Sequence, residues 1–524
     1  MMSTHASVLR LPRSSLTTVV APRRMAAIGG LSRTATFALL TLVIPFVVLA
    51  NRPLGGDVWW ALAYGRVLSL TGQMPTADPF TFAPHSAGFL NAQWLSQVVF
   101  YAAYQLLDLQ GVMVFNAVMC TIALAILLHA AWRYSRSLTA AACAMLLFAL
   151  PAAWFIWPRA QSLALVPLMA TVWLLLCGQS RVCTLLALGA TEVVWANQHG
   201  SFFMGPLLTA IVLTGHALEA LREGKLRELI RDGRTQFLLA AMLLQVAGSL
   251  ATPFGLDLYR YAAGVSSHPT VRDRISEWQP TAIASLEGMQ FFAAIGMVIA
   301  VMSRSRRQAL PGDVLLLAVL AVLGLQAYRN TMLFGLICTP LMARYLADWR
   351  APRVLIAAAA WLRRPDRGRM SQIRAGLLVL AVVMWLPWTR AMNPLLDARE
   401  TELVESIYPQ AGADFLVAHS YGPRVLADHY WSAYVDWRLW PRYQPMVDSA
   451  IDIHPPKVWE DFRAIHQANA RWEEMVDRYD ADVLMLSHEN DRSLIDVAWH
   501  SPRWRLVYAD PQGVIYVRAE EAQA

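Results

Sequence analysis

The sequence predicts a polytopic α-helical membrane protein with about eleven transmembrane helices and a C-terminal extracytoplasmic α/β domain. Three observations predict it. Of 524 residues, 56% are hydrophobic and only 15% charged, a balance well outside that of ordinary soluble chains. Apolar runs of about 15 to 21 residues recur from Ala35 to Thr389, near the length that crosses a hydrocarbon core of about 30 Å. Beyond Arg390 those runs stop, and about 130 residues of mixed composition follow, enough to form a core of their own.

The expected spans are 35–50, 111–131, 138–156, 161–178, 183–197, 202–219, 236–252, 288–303, 312–327, 331–347 and 375–390. Trp94 to Leu107 is apolar but short and carries Gln97 and Gln105, so it is expected to lie flat in the first outer loop. With the N-terminus inside, the basic segments Arg10 to Arg33, Arg133/Arg136, Arg181, Arg222 to Arg234, Arg304 to Arg307 and Arg344 to Arg374 share one side. That is about two dozen basic residues against about seven in the outer loops, the bias that orients membrane proteins. Residues 1–34 then form a basic cytoplasmic tail, 35–391 the transmembrane domain with a long outer loop 51–110, and 392–524 an extracytoplasmic domain. Arg23 and Arg24 before an apolar run ending at Val48-Leu49-Ala50 have the layout of a secretion signal, but the length of the run favours an uncleaved first helix. The net charge of +7 sits in short loops between apolar runs, where topology explains it without nucleic acid. Cys120, Cys143, Cys177, Cys183 and Cys338 lie in or beside apolar runs without metal-ligand spacing, which argues against disulfides and a zinc site.

Unusual polar and aromatic clusters all fall on the outer side. Polar groups at helix ends cost free energy unless they serve an interface, a cavity or a ligand, so their concentration on one face points to a site there. Asp57 follows the first span, behind Gly55 and Gly56 and before Trp59 and Trp60; it is a candidate general base or ligand of a divalent cation, with a helix cap as the structural alternative. Asp78 in Pro75-Thr76-Ala77-Asp78-Pro79-Phe80 is either a ligand contact or a turn initiator. His85 has no evident partner and reads as a surface residue. Asn197 and His199 stand at a helix mouth, where they fit either ligand contact or structural bonding. Glu277 either serves the site or pairs with Arg272 or Arg274. Arg159 and Arg329 each stand in a very short outer loop; their planar forks suit phosphate oxygens, with snorkelling to headgroups as the alternative. Deep in the spans, Glu192 and His216 are the residues on which a transporter or flippase reading would rest.

In the C-terminal part, β-rich runs at Pro423 to Ala427, Asp482 to Ser487, Trp504 to Ala509 and Val514 to Arg518 alternate with helical stretches near Lys457 to Asn469, Trp472 to Arg478 and Asp491 to Trp499. Asp510-Pro511-Gln512-Gly513 reads as a hairpin turn. Asp428, His429, Tyr430, Asp448, Asp452 and His454 suit either a carbohydrate-contacting face or an ordinary surface.

Gly56-Asp57-Val58-Trp59-Trp60 with Gly65-Arg66, Pro75 to Phe80, Gln93-Trp94-Leu95, Arg159-Ala160-Gln161, Trp195 to Gly200, Pro253-Phe254-Gly255, Glu277-Trp278, Arg329-Asn330 and Trp504 to Tyr508 with Asp510 together resemble a bacterial group among the GT-C superfamily of membrane glycosyltransferases. The resemblance covers nearly the whole chain. It implies an inner (cytoplasmic) membrane enzyme that moves a sugar from a polyprenyl-phosphate-linked donor to an envelope glycan or lipid acceptor on the periplasmic face, with inversion. It implies that Asp57 is the catalytic acid of the first outer loop, and that Arg159 or Arg329 offsets charge on the departing lipid phosphate. The loop lacks the tight acidic pair of some superfamily members, so a divalent cation is an open option. A non-catalytic scaffold of envelope polysaccharide assembly is the other reading.

Overall fold

The computed structural model describes residues 31–86, 89–153, 156–267, 271–272, 275–350, 352–364, 369–389, 392–393 and 403–520. Most of the basic N-terminal tail, Asp273, Arg274 and much of the junction around 391 lie outside the described residues.

All eleven expected apolar runs are helical. They fall in α1 (Arg33–Ala50), α3 (Trp94–Ser135), α4 (Leu138–Ala153), α5 (Ala160–Cys177), α6 (Arg181–Gln198), α7 (Met204–Arg222), α8 (Gly233–Ser249), α10 (Leu286–Arg304), α11 (Pro311–Gln326), α12 (Thr331–Ala347) and α14 (Met370–Met384). Among the described residues, five helices, the one through Met204–Arg222 taken from Gly200, are long and apolar enough to cross a membrane. Several start where a short polar side chain accepts the first free backbone N–H groups: Ser32 from Ala35, Ser137 from Ala140, Ser180 from Cys183 and Asp232 from Arg234 and Thr235. The helix α4 widens into a π turn at Met145–Ala149, just ahead of Pro151, relieving the ring's clash with the preceding turn.

Among the described residues, three further helices, α2 (Asp57–Thr71), α9 (Asp257–Ser267) and α13 (Arg353–Arg363), lie between these runs. The stretch expected to lie flat is helical and continues into the next span as α3, broken at Leu107 (φ −145°) and Asp108 (φ 58°). A helix of 42 residues would be about 63 Å long if straight, twice a bilayer core and too long for a single crossing, and the break separates its first part from the 111–131 run. That part packs on α2, and its Tyr104 ring meets Trp437 edge-on at 4.9 Å.

The C-terminal part is a five-stranded sheet in the order β2-β1-β3-β5-β4, from β1 (Arg424–Ala427), β2 (Gln444–Pro445), β3 (Val483–Ser487), β4 (Trp504–Ala509) and β5 (Gly513–Arg518). The strand β1 is parallel to β2 and β3, whereas β5 is antiparallel to both its neighbours. Asp510 closes the β4–β5 turn by accepting from the backbone N–H of Gln512 and Gly513 at 2.8 and 2.9 Å. The helices α15 (Gln410–Ala418), α16 (His429–Leu439), α17 (Pro456–His466), α18 (Trp472–Arg478) and α19 (Arg492–His500) cover the sheet.

One face of this sheet shares its core with the segment between α1 and the 111–131 run: Leu54, Val58, Trp59 and Phe100 pack with Val425, Trp431, Val483 and Ile515. Trp59 is fully buried, with edge-on contacts to Tyr434 at 5.0 Å and Tyr408 at 5.7 Å. The backbones also join, Leu54 N–H donating to Leu403 and Glu405 N–H to Leu54. Asp436 and Asp448 are fully buried, and burial lifts both well above the usual carboxylate range. Trp60 Nε1 donates to Asp448 at 3.1 Å.

Candidate active site

The helix α2 begins at Gly56, whose φ of 60° is a backbone region that favours glycine. A Cβ on neighbouring Gly55 would lie 2.1 Å from the Glu405 carboxylate, so a side chain there would have to turn Glu405 aside. The cap position falls on Gly56, and Asp57 occupies the first helical turn, where the backbone dipoles favour a negative charge. Its carboxylate faces Arg159 at 3.8 Å, and Arg159 donates to Glu277 at 2.7 Å.

These groups line a cavity of about 530 Å³ between the helix ends and the C-terminal sheet, together with His199, Arg329, Tyr408 and Asp452. The Arg329 guanidinium stacks on Trp278 at 4.7 Å and makes no ion pair among the described residues. His199 Nδ1 accepts from the Ser201 backbone N–H at 3.0 Å, which puts the ring proton on Nε2. Burial, reinforced by Arg329 and Arg159, pushes the His199 pKa down to about 3, so the ring is a neutral donor. Asp57 is enclosed by the cavity walls, although 52% of its side chain remains reachable through the opening. Desolvation raises its pKa against the pull of Arg159, with Glu277 adding to the rise. Glu277 is displaced downward despite burial, because Arg159 is bonded to it.

The far wall comes from the C-terminal part. Strand β1 ends at Ala427, and His429 and Tyr430 follow it into the cavity; β2 ends at Pro445, and Ser449 and Asp452 follow. Ligands of open α/β sheets commonly sit at the carboxyl ends of parallel strands, and this cavity obeys that rule. A divalent cation finds little here: the neighbour of Asp57 at pairing distance is a guanidinium, and no group of three or more His, Cys, Asp or Glu side chains suited to a metal exists among the described residues.

The architecture has known counterparts. ArnT from Cupriavidus metallidurans bound to undecaprenyl phosphate superposes with a TM-score of 0.51 at 14% identity, over 92% of this chain and 97% of that one. The GT-C fold is present here. Its apo form gives 0.52 at 14% identity, covering 92% and 96%. The archaeal oligosaccharyltransferase AglB from Archaeoglobus fulgidus, in complex with an inhibitory peptide and a dolichol-phosphate, gives 0.51 at 11% identity, covering 92% of this chain and 74% of that one. No protein-family model matches the sequence, and no curated protein matches it.

Within this GT-C fold, the candidate residues separate into two sets. Asp57, Arg159, His199, Glu277 and Arg329 come together around the cavity. The others are structural in their contacts. Asp78 is 8% exposed and accepts from Tyr64 Oη, from Thr81 Oγ1 and, at 2.8 Å, from the Thr81 backbone N–H, holding its own turn. His85 is exposed, as expected of a surface residue, but it does have partners: it bonds Thr81 at 2.8 Å and lies 3.6 Å from Asp78. Asn197 Nδ2 donates to the carbonyls of Val193 and Ala251, and its oxygen accepts from Trp94 Nε1 at 2.9 Å. Trp59 and Trp60 anchor α2 to the C-terminal part. Glu192 is buried against Gly205, where a Cβ would lie 2.1 Å from its carboxylate, and His216 instead pairs with Asp232 at 2.9 Å. Glu405 and Tyr408 line the cavity without any signal in the sequence, whereas His429, Tyr430 and Asp452, which the sequence offered as part of a carbohydrate-contacting face, do line it.

Proposed function

We propose that this chain is a membrane glycosyltransferase that moves a sugar from a polyprenyl-phosphate-linked donor to an envelope glycan or lipid acceptor, with inversion. The carrying observation is the cavity in which one carboxylate with raised proton affinity, Asp57, stands beside two guanidinium groups, Arg159 and Arg329. Asp57 takes the proton from the acceptor hydroxyl as its oxygen attacks the anomeric carbon; a carboxylate with an elevated pKa does this better than an ordinary one. Arg329, which has no carboxylate partner among the described residues to displace, binds the lipid phosphate, and Arg159 adds charge compensation as the phosphate departs. His199 Nε2–H donates to a sugar hydroxyl or phosphate oxygen. Glu277 fixes Arg159 in place. No step needs a metal.

In this reading the eleven apolar helices cross the bacterial inner membrane with the N-terminus in the cytoplasm. The 51–110 loop and the 392–524 domain lie on the periplasmic side, where lipid-linked sugar and acceptor meet. The ligands in the solved GT-C structures, undecaprenyl phosphate and dolichol-phosphate, support a lipid phosphate as the donor's carrier. The test is sugar transfer by purified protein in lipid from a panel of polyprenyl-phosphate sugars, wild type against Asp57→Asn at matched folding. Transfer that disappears only in the variant supports the reading. A variant as active as wild type removes Asp57 from the chemistry, and no transfer from either moves the weight to a scaffold.

A further inference from the structure

A second cavity of about 840 Å³ opens at the other end of the same helices. Arg181 begins α6 and His199 follows its last residue, while Arg329 precedes α12 and Arg344 lies in its last turn. The 18 residues of α6 span about 27 Å, so the two cation clusters are a bilayer core apart. Five guanidinium groups line this cavity, from Arg136, Arg181, Arg234, Arg307 and Arg344, against the carboxyl groups of Glu219 and Asp313. Two of the five are committed: Arg344 donates to Tyr134 Oη at 2.7 Å with Asp313 at 3.9 Å, and Arg307 is paired with Asp348.

Arg136, Arg181 and Arg234 make no ion pair or side-chain hydrogen bond among the described residues. They come from three separate places, the C-cap of α3 and the first turns of α6 and α8, and line one opening. Arg136 ends α3 with φ 58°, in a left-handed position more usually given to glycine or asparagine. Behind the opening the walls are apolar: Val172 on α5, Leu208 and Ile211 on α7, Leu316 on α11, and Ile337 and Leu341 on α12. Helices α7 and α11 meet at the backbone there, since a Cβ on Gly215 would lie 2.5 Å from the Gly312 Cα. A soluble anion has no use for such a floor. An amphiphile does, with its phosphate at the guanidinium groups and its hydrocarbon between the helices.

We infer that this cavity binds an anionic glycerophospholipid of the membrane leaflet opposite the candidate active site. Three unpaired guanidinium groups recognise the phosphate, and the excess of arginine over carboxylate disfavours a headgroup that carries its own compensating ammonium. The site needs no sugar transfer to be detected, so it stands or falls separately from the proposed function.

The experiment uses the full chain, delipidated in detergent, with binding read by native mass spectrometry and thermal unfolding. The probes are phosphatidylglycerol, phosphatidylcholine, glycerol 3-phosphate and undecaprenyl phosphate. Phosphatidylglycerol should bind and raise the melting temperature. The R136Q/R181Q/R234Q triple variant should weaken it roughly a hundredfold, taking about 1 kcal/mol per arginine at a membrane surface. Arg181→Gln alone, an exposed side chain with no bonds to lose, should cost roughly fivefold on the same basis and covers the case of a triple variant that fails to fold. Leu316→Trp, which fills the apolar interior, should exclude the lipid while leaving the arginines in place. Equal binding of phosphatidylcholine would overturn the proposal. So would full competition by glycerol 3-phosphate, preference for undecaprenyl phosphate, or undiminished binding in the arginine variants.

Discussion

Replacing Asp57 by Asn tests both the chemistry and the electrostatics of the cavity. The side chain keeps its size and its place in the first turn of α2, so what changes is the charge and the ability to take a proton. General-base catalysis contributes about 10²- to 10⁴-fold, and kcat should fall by that much. The geometry adds a second expectation. Asp57 is one of two carboxylates near Arg159, at 3.8 Å against 2.7 Å for Glu277, so its neutralisation frees positive potential for the donor phosphate. KM for the donor should therefore stay level or fall. A third follows from pH. The Asp57 pKa is raised, chiefly by desolvation, so wild-type activity should be lost as pH falls through a value above the ordinary carboxylate figure of about 4, and that acid limb should vanish in the variant. Steady-state transfer kinetics across pH, with donor and acceptor varied separately, measure all three. A variant retaining a tenth or more of kcat, or one whose defect is a raised donor KM, would refute the assignment of Asp57 as base.

Arg329→Ala should weaken the donor lipid phosphate by roughly 10- to 100-fold, the value of a charge-assisted hydrogen bond of about 1.5–3 kcal/mol, measured as inhibition of transfer by free undecaprenyl phosphate; Arg329→Lys should recover part of it. His199 has its pKa near 3, so it stays neutral throughout the working range; His199→Gln should lower kcat without moving the pH profile between about pH 5 and 8. Trp59→Ala should cost about 3–5 kcal/mol, because the side chain is fully buried between α2 and the sheet, and should show as a lower melting temperature with earlier proteolysis of the 403–520 region. The Asp436–Asp448 pair has pKa values raised by burial. Its stabilising contribution is complete below the unfolded carboxylate value of about 4 and is lost as pH rises through the folded values, so Asp436→Asn should flatten the dependence of thermal stability on pH in that window.

The helices were legible because apolar runs of membrane length are a strong local signal, and the strands β1, β3, β4 and β5 because β-branched runs end in polar turns. What the sequence concealed depends on distant partners. Trp94 to Leu107 reads as too polar to cross, yet nothing local says that it continues into the next span through a break at Leu107 and Asp108. The helix α16 was missed because His429 to Leu439 is rich in aromatics and lacks a clear helical stripe; its residues are buried on several sides, against α2 and the sheet at once. Strand β2 has only two residues and no pattern to find. At the site, Asp57, Arg159, His199 and Arg329 could be named because each is a polar residue stranded at a helix end, and Glu277 because it is an acid beside Trp278 in a long loop. Asp78 and Asn197 have the same appearance in sequence, and only the Thr81 and Ala251 contacts show that their bonding is used up locally. Glu405 and Asp452 belong to the cavity through the joining of two segments some 350 residues apart, which no local pattern encodes.

That joining has a consequence for the order of synthesis. The bridge between Leu54 and Val404, and the core shared by Trp59 and Tyr434, tie the segment after the first helix to the C-terminal part. A ribosome makes the chain from its N-terminus, so Asp57 is in place long before Tyr408, His429 and Asp452 exist. Until the final span is inserted and the remaining chain has folded, the cleft lacks one wall and Asp57 lies open to water. The cavity is therefore completed only at the end of synthesis, and a partly made chain holds Asp57 without the enclosure that raises its proton affinity.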